Sequence, residues 1–524
     1  MTHAHEVEKA STTEGLPVSP SMGPMVEAAH IPTRAAIVDR RVAVISIISI
    51  LIALAAGVIA QGLIRLIGLI TNVSFYGRFS FEFVSPANHH LGWLVIFVPI
   101  IGAVIVGLMA RYGSEGIRGH GIPEAMEQVL LNQSRIPARI TFLKPLSAAI
   151  AIGTGGPFGA EGPIIATGGA LGSVVGQMIR TTAAERKTLL AAGAAAGMAA
   201  TFGSPVSAVL LAVELLLFEY RPRSMIPVAL ASCAAAAVRA AFDGMKPVFA
   251  MPNLAQPTGE ALAIYVLLGG VIGLAAILST RIVFATEDLF ARSKIHWMWW
   301  PAISAIVVGV IGYFYPRTFG VGYYNISDIL SFGDPHLPAN FTVSFIAMLA
   351  LMKFLSWGIS LGSGTSGGTL APLFTIGGGV GAVLGDLVRR IAPGARVDLR
   401  LAALVGMAAI FAGASRALLA SAVFAFETTL QPMGMLPLLG GCSASFLVSS
   451  LLMRNTIMTE KIARRGVRVP AEFRADFLDL ISVKDAASKD VVTLRANQTV
   501  GEVRAWIQSE APGSSHQGFP IVDE

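Results

Sequence analysis

Apolar residues in this chain rarely alternate with polar ones; they run on in blocks. Such blocks recur between positions 42 and 453, for example 42–70, 93–110, 262–284, 345–359 and 435–453. A membrane helix needs about 20 apolar residues, so the pattern predicts roughly ten to eighteen membrane helices, several blocks being long enough for two. The 55 glycines and 28 prolines lie largely inside these blocks. Short, tilted and broken helices fit that distribution better than smooth spans, and broken helices leave backbone dipoles inside the bilayer. The expected class is an all-α polytopic membrane protein.

Composition agrees. Of 524 residues 54% are hydrophobic and 13% charged, where a soluble domain is about a quarter charged, and the mean hydropathy is +0.68. Residues 1–39 are polar and lack an apolar core with a cleavage site, so they are expected to be a cytosolic tail rather than a signal peptide. Arg34, Arg40 and Arg41 precede the first block, and Lys461, Arg464, Arg465 and Arg468 follow the last, whereas 72–91 carries only Arg78 and Glu82. Both termini should therefore face the cytoplasm, with a bacterial inner membrane as the expected location. The net charge of +6 comes largely from these flanks and gives no support to nucleic-acid binding. Cys233 and Cys442, both in apolar segments, are expected to be buried thiols and form no disulfide framework.

The chain repeats itself. Gly197-Met-Ala-Ala-Thr-Phe202 returns as Gly406-Met-Ala-Ala-Ile-Phe411, 209 positions later. Each copy leads into an apolar helix ending in a glutamate, Glu214 or Glu427, and each follows a Gly-rich segment ending at Pro163 or Pro372. Tandem halves in a membrane protein point to a transporter-type core over 40–470, with repeats at roughly 40–245 and 260–466 and a site where broken helices of both halves meet. Beyond it, 471–524 turns soluble, with short β and helix signals at Ile481-Ser-Val-Lys-Asp485, Val491-Val-Thr-Leu494, Thr499-Val-Gly-Glu502 and 518–524.

Three Gly-rich breaks carry the chemistry: Gly119-His120-Gly121-Ile122-Pro123, Gly159-Ala160-Glu161-Gly162-Pro163 and Gly368-Thr369-Leu370-Ala371-Pro372. Proline suits a first helical turn and glycine allows close approach, so each break reads as a helix start inside the membrane. The free N–H groups and positive dipole end then face whatever lies ahead. Several such ends converging make an anion site without a full positive charge, and a site of that kind can release its ion.

In this order the three segments resemble the selectivity motifs GSGIP, GxEGP and GxFxP of the CLC chloride channel and transporter family. The resemblance spans roughly 40–524 and includes Lys144, seventeen residues before Glu161, and a tail similar to the opening of a CBS domain, a regulatory module found in pairs that often bind adenine nucleotides. It implies two inverted repeats of tilted helices, a homodimer with one pore per subunit, a partial α/β CBS domain, and no cofactor in the membrane part. Residue by residue, Glu161 matches the external gating glutamate, a tethered carboxylate that competes with the anion and leaves on protonation. The anion would be held by His120, Gly121, Ile122, Gly162, Thr369, Leu370 and Met458. Leu370 replaces the usual phenylalanine.

Three positions depart from the family pattern: His120 for serine, Met458 for tyrosine, and Leu215 after Glu214 where many exchangers carry a second glutamate. His120 either lines the inner mouth or caps its helix; Glu214 and Glu427 are expected at helix packing or a subunit interface; Lys144 and Lys353 either tune the pore field or snorkel to water. The joint loss at Leu215 and Met458 leans the reading toward a passive chloride channel, with a chloride/proton antiporter as the alternative. An intramembrane enzyme finds no HExxH, and only His120 of nine histidines falls in a pore-like motif. A cation or amino-acid transporter would be expected to offer intramembrane carboxylates as cation ligands.

Overall fold

The computed structural model describes residues 38–467, 469, 492–509, 511, 513, 514 and 518–522. The sequence-assigned tail before position 38, Arg34, Arg468 and the segment 481–485 lie outside them. The chain forms two compact units, one within 38–473 and a second that contains the described residues beyond 491.

Sixteen helices of the first unit fall into two series of eight. The first runs α1 (Arg40–Thr71), α2 (Phe97–Tyr112), α3 (Ile122–Leu131), α4 (Ile140–Gly153), α5 (Glu161–Met178), α6 (Ala183–Phe202), α7 (Pro205–Ala212) and α8 (Pro222–Asp243). The second runs α9 (Gly259–Arg292), α10 (Trp300–Phe314), α11 (Tyr323–Leu330), α12 (Val343–Gly362), α13 (Leu370–Ile391), α14 (Leu399–Ser415), α15 (Leu418–Thr429) and α16 (Met435–Leu452). A short α17 (Glu460–Arg464) follows. Long helix opens each series in the same way: 32 residues in α1 and 34 in α9. At 1.5 Å per residue α1 is about 48 Å long, well beyond a hydrocarbon core of about 30 Å, which a tilted helix accommodates.

Local sequence sets the helix ends. Asp39 accepts the Val42 N–H at 2.9 Å at the start of α1, and Thr182 with Glu185 forms a reciprocal capping box on α6. Eight helical spans are long and apolar enough to cross a bilayer among the described residues, and four apolar segments are shorter, including 399–415 and 418–429. The sequence expectation of ten to eighteen helices merges these two kinds, because the apolar blocks do not show which helices stop inside the membrane.

Small residues let the helices after each central break pack closely on their successors. A β-carbon on Gly168 would lie 2.1 Å from the Gly193 carbonyl oxygen, and one on Gly377 2.4 Å from that of Gly406. Cys442 is buried, whereas Cys233 is exposed on α8, so the expectation of two buried thiols holds for one. An apolar block does not say which face of its helix turns outward.

In the second unit β1 (Leu494–Arg495) pairs in parallel with β2 (Ile521–Val522), Leu494 opposite Ile521, and α18 (Val500–Gln508) lies between them in sequence, capped by Thr499 and Glu502. The expected partial CBS domain falls on this part of the chain, of which the described residues form the β-α-β element alone.

Candidate functional site

The central breaks of the two series face each other. Gly159 and Gly368 form an isolated antiparallel bridge: the Gly159 N–H donates to the Gly368 carbonyl at 3.1 Å and the Gly368 N–H to the Gly159 carbonyl at 2.8 Å. Both peptides are satisfied without water, as irregular backbone shielded from water requires. The bridge also brings the starts of α5 and α13 together. Their first two residues, Glu161 and Gly162 in one and Leu370 and Ala371 in the other, have no intrahelical acceptor for their N–H groups, and the third is a proline in both. Thr369 precedes α13 with its hydroxyl buried and unpaired among the described residues.

The third break closes on the same place. Gly119 and Gly121 take φ of 86° and 97°, in the left-handed region that glycine favours, and this turns the His120 carbonyl onto Gly162, where a β-carbon would lie 1.9 Å from the oxygen. The Gly367 N–H donates to the Gly119 carbonyl at 3.4 Å. Pro123 sits in the first turn of α3, whose start Glu124 completes by accepting the Gly121 N–H at 2.7 Å. Glu124 is itself paired with Lys461 at 2.8 Å.

Glu161 lies at the focus of these starts, fully buried. Its carboxyl folds back over the bridge: Oε2 would be 1.7 Å from a β-carbon on Gly159 and 3.0 Å from one on Gly368. The group lies against the amides of Glu161 itself and Ala371, with Lys353 as the cation that acts on it. Oε1 accepts the Tyr323 hydroxyl at 3.0 Å, while Oε2 is buried without a hydrogen-bond partner of good geometry among the described residues.

His120 is 7% exposed, and its Nδ1 is buried and unpaired among the described residues. The charges acting on its ring are Glu124, Lys461 and Lys144. A cavity of about 730 Å³, bordered by Arg118, Gly121, Glu124, Lys144 and Lys461, reaches this loop. Ile122, Leu370 and Met458 are buried in one apolar cluster. Leu215 is buried in the π-helical turn after α7.

Both lysines are buried, Lys144 1% and Lys353 0% exposed, so neither snorkels. Lys144 Nζ donates to the carbonyls of Ile117 and Gly119 at 2.8 Å each, and Lys353 Nζ to those of Thr318 at 2.9 Å and Gly320 at 2.7 Å. Each braces the non-helical turn ahead of the third helix of its series. The turns correspond: Gly119-His120-Gly121 before Ile122 is matched by Gly320-Val321-Gly322 before Tyr323, with φ of 66° at Gly320 and 82° at Gly322. Tyr323 is the site residue that sequence reasoning missed. The repeated Gly-x-Gly, 201 positions apart, is the sequence signal that marks its turn.

Residues 101–450 match a family profile described as voltage gated chloride channel. A putative chloride channel protein ClcB-like of Ralstonia nicotianae is 25% identical over 385 residues, 73% of this chain and 88% of that protein. An H(+)/Cl(-) exchange transporter ClcA of Vibrio vulnificus is 29% identical over 395 residues, 72% of this chain and 82% of the relative. The fold is shared with the crystal structure of a slow cyanobacterial Cl-/H+ antiporter, at a TM-score of 0.72 and 21% identity over 82% of this chain and 98% of that one.

Proposed function

The chain belongs to the voltage-gated chloride channel family, and on that premise we propose that it exchanges chloride for protons across a membrane, with Glu161 as the group that both competes with the anion and carries the proton. The observation that carries this reading is the position of the Glu161 carboxyl at the shared focus of α5 and α13. Ionised, it takes the place that two helix starts offer an anion; protonated, it loses that attraction and yields the place to chloride. One site thus alternates between a proton-labile carboxyl and a halide.

In the sequence, Leu215 and Met458 favour a passive channel. A methionine in place of a tyrosine widens a pore only if its side chain leaves space, and Met458 is fully buried in the cluster that holds Ile122 and Leu370. Exchange is also what the name of the Vibrio relative states for that protein. The protein would act as a homodimer, with the 730 Å³ cavity on the cytoplasmic side. The test is a chloride gradient imposed on proteoliposomes. Uphill, stoichiometric proton movement that disappears in Glu161→Gln is expected; rapid chloride flux with no proton movement would mark the protein as a passive channel.

A further inference from the structure

Tyr323 has no assigned role, yet it makes the one side-chain hydrogen bond that the Glu161 carboxyl receives among the described residues. Its placement is built. Phe202, Phe249 and Phe83 surround its ring at centroid distances of 5.8, 5.9 and 6.1 Å. Its backbone follows the turn that Lys353 braces through the carbonyls of Thr318 and Gly320. A phenol fixed from both sides cannot follow a moving carboxylate, so the bond exists only while Glu161 is folded over the bridge.

We infer that Tyr323 is a positioning residue, a latch that holds ionised Glu161 in the anion's place and so sets how strongly the gate competes with chloride. This rests on the proposed role of Glu161. The hydroxyl donates to Oε1, and a hydrogen bond to a charged acceptor is about twice as strong as one between neutral groups. The latch therefore favours the ionised carboxyl in the blocking position and weakens when the carboxyl is protonated. The Lys353 charge and the Ala371 amide pull the carboxylate the same way, so the latch adds to an existing attraction.

Chloride binding to the purified protein, measured by calorimetry in detergent, separates this role from simple packing. Tyr323→Phe keeps the ring and removes one oxygen. It should tighten chloride binding about tenfold, equivalent to about 1.4 kcal/mol, because the tethered competitor is weaker. In a Glu161→Gln background, where that competitor is already gone, adding Tyr323→Phe should change the affinity by less than about twofold. An unchanged affinity in the single variant, or an equal change in both backgrounds, would overturn the latch while leaving the gate intact. A Glu161→Gln variant with wild-type chloride affinity and wild-type proton coupling would remove the gate itself, and the latch with it.

Discussion

Glu214 caps the helix that runs into Glu427, and Glu427 caps the helix that runs into Glu214. Glu214 accepts the N–H groups of Leu419 and Ala420 at 2.9 and 3.1 Å, and Glu427 those of Val206 and Ser207 at 3.0 and 2.8 Å. Each carboxylate satisfies two orphan donors of the opposite series and meets the positive end of its helix. The pair is a clasp between the two halves.

Removing either carboxylate strands two N–H groups. Glu427→Ala is expected to lower stability by about 2 kcal/mol, and Glu214→Ala by a similar amount, since cap loss costs about 1 kcal/mol and unpaired donors add to it. Glutamine keeps one acceptor and should cost about half as much. Thermal unfolding in detergent measures this, and equal melting of wild type and both alanine variants would show that the clasp carries no stability.

Replacing Glu161 by glutamine keeps size and removes charge. Anion flux through Glu161→Gln should lose its dependence on external pH, because the amide cannot compete as an anion at any pH. Flux recorded across a range of external pH decides this; a wild-type profile in the variant would mean the gate lies elsewhere.

Gly162 has no room for a side chain. A β-carbon would meet the His120 carbonyl oxygen at 1.9 Å and Gly368 Cα at 3.0 Å, and both are backbone, so neither can rotate away. Gly162→Ala should cost about 3 kcal/mol and separate the breaks. Chloride binding should then fall by an order of magnitude or more in whatever folded protein can be purified, and retained affinity would show that the breaks need not touch.

Lys353 Nζ bonds the carbonyls of Thr318 and Gly320. Lys353→Met matches its length and leaves Thr318 and Gly320 unpaired, at about 1–3 kcal/mol for each buried acceptor. Tyr323 would lose its anchored turn, so the variant should also shift chloride affinity in the direction of Tyr323→Phe. A stability loss without any change in affinity would confine Lys353 to structure.

His120 sets its backbone carbonyl against Gly162 and carries a buried Nδ1 that is unpaired among the described residues. His120→Ser restores a short hydroxyl and removes the imidazole, and any response of flux to internal pH should weaken. An unchanged internal-pH response together with unchanged chloride affinity would mark His120 as a helix-start residue only.

The sequence by itself determined the membrane class, the two series, and the three Gly-rich breaks at which helices begin. These are local matters. Apolar length fixes a span, proline and glycine fix a helix start, and both act within a few residues. It also singled out Glu161, because an acid in a Gly-Pro break is costly without a task. Only the tertiary structure decided that the Gly159 and Gly368 peptides pair, that Lys144 and Lys353 face carbonyls rather than water, that Glu214 and Glu427 exchange caps, and that Tyr323 meets Glu161 across 162 positions. Each of these contacts joins segments whose approach is set by packing of whole helices, and no local propensity in either segment specifies the distance between them.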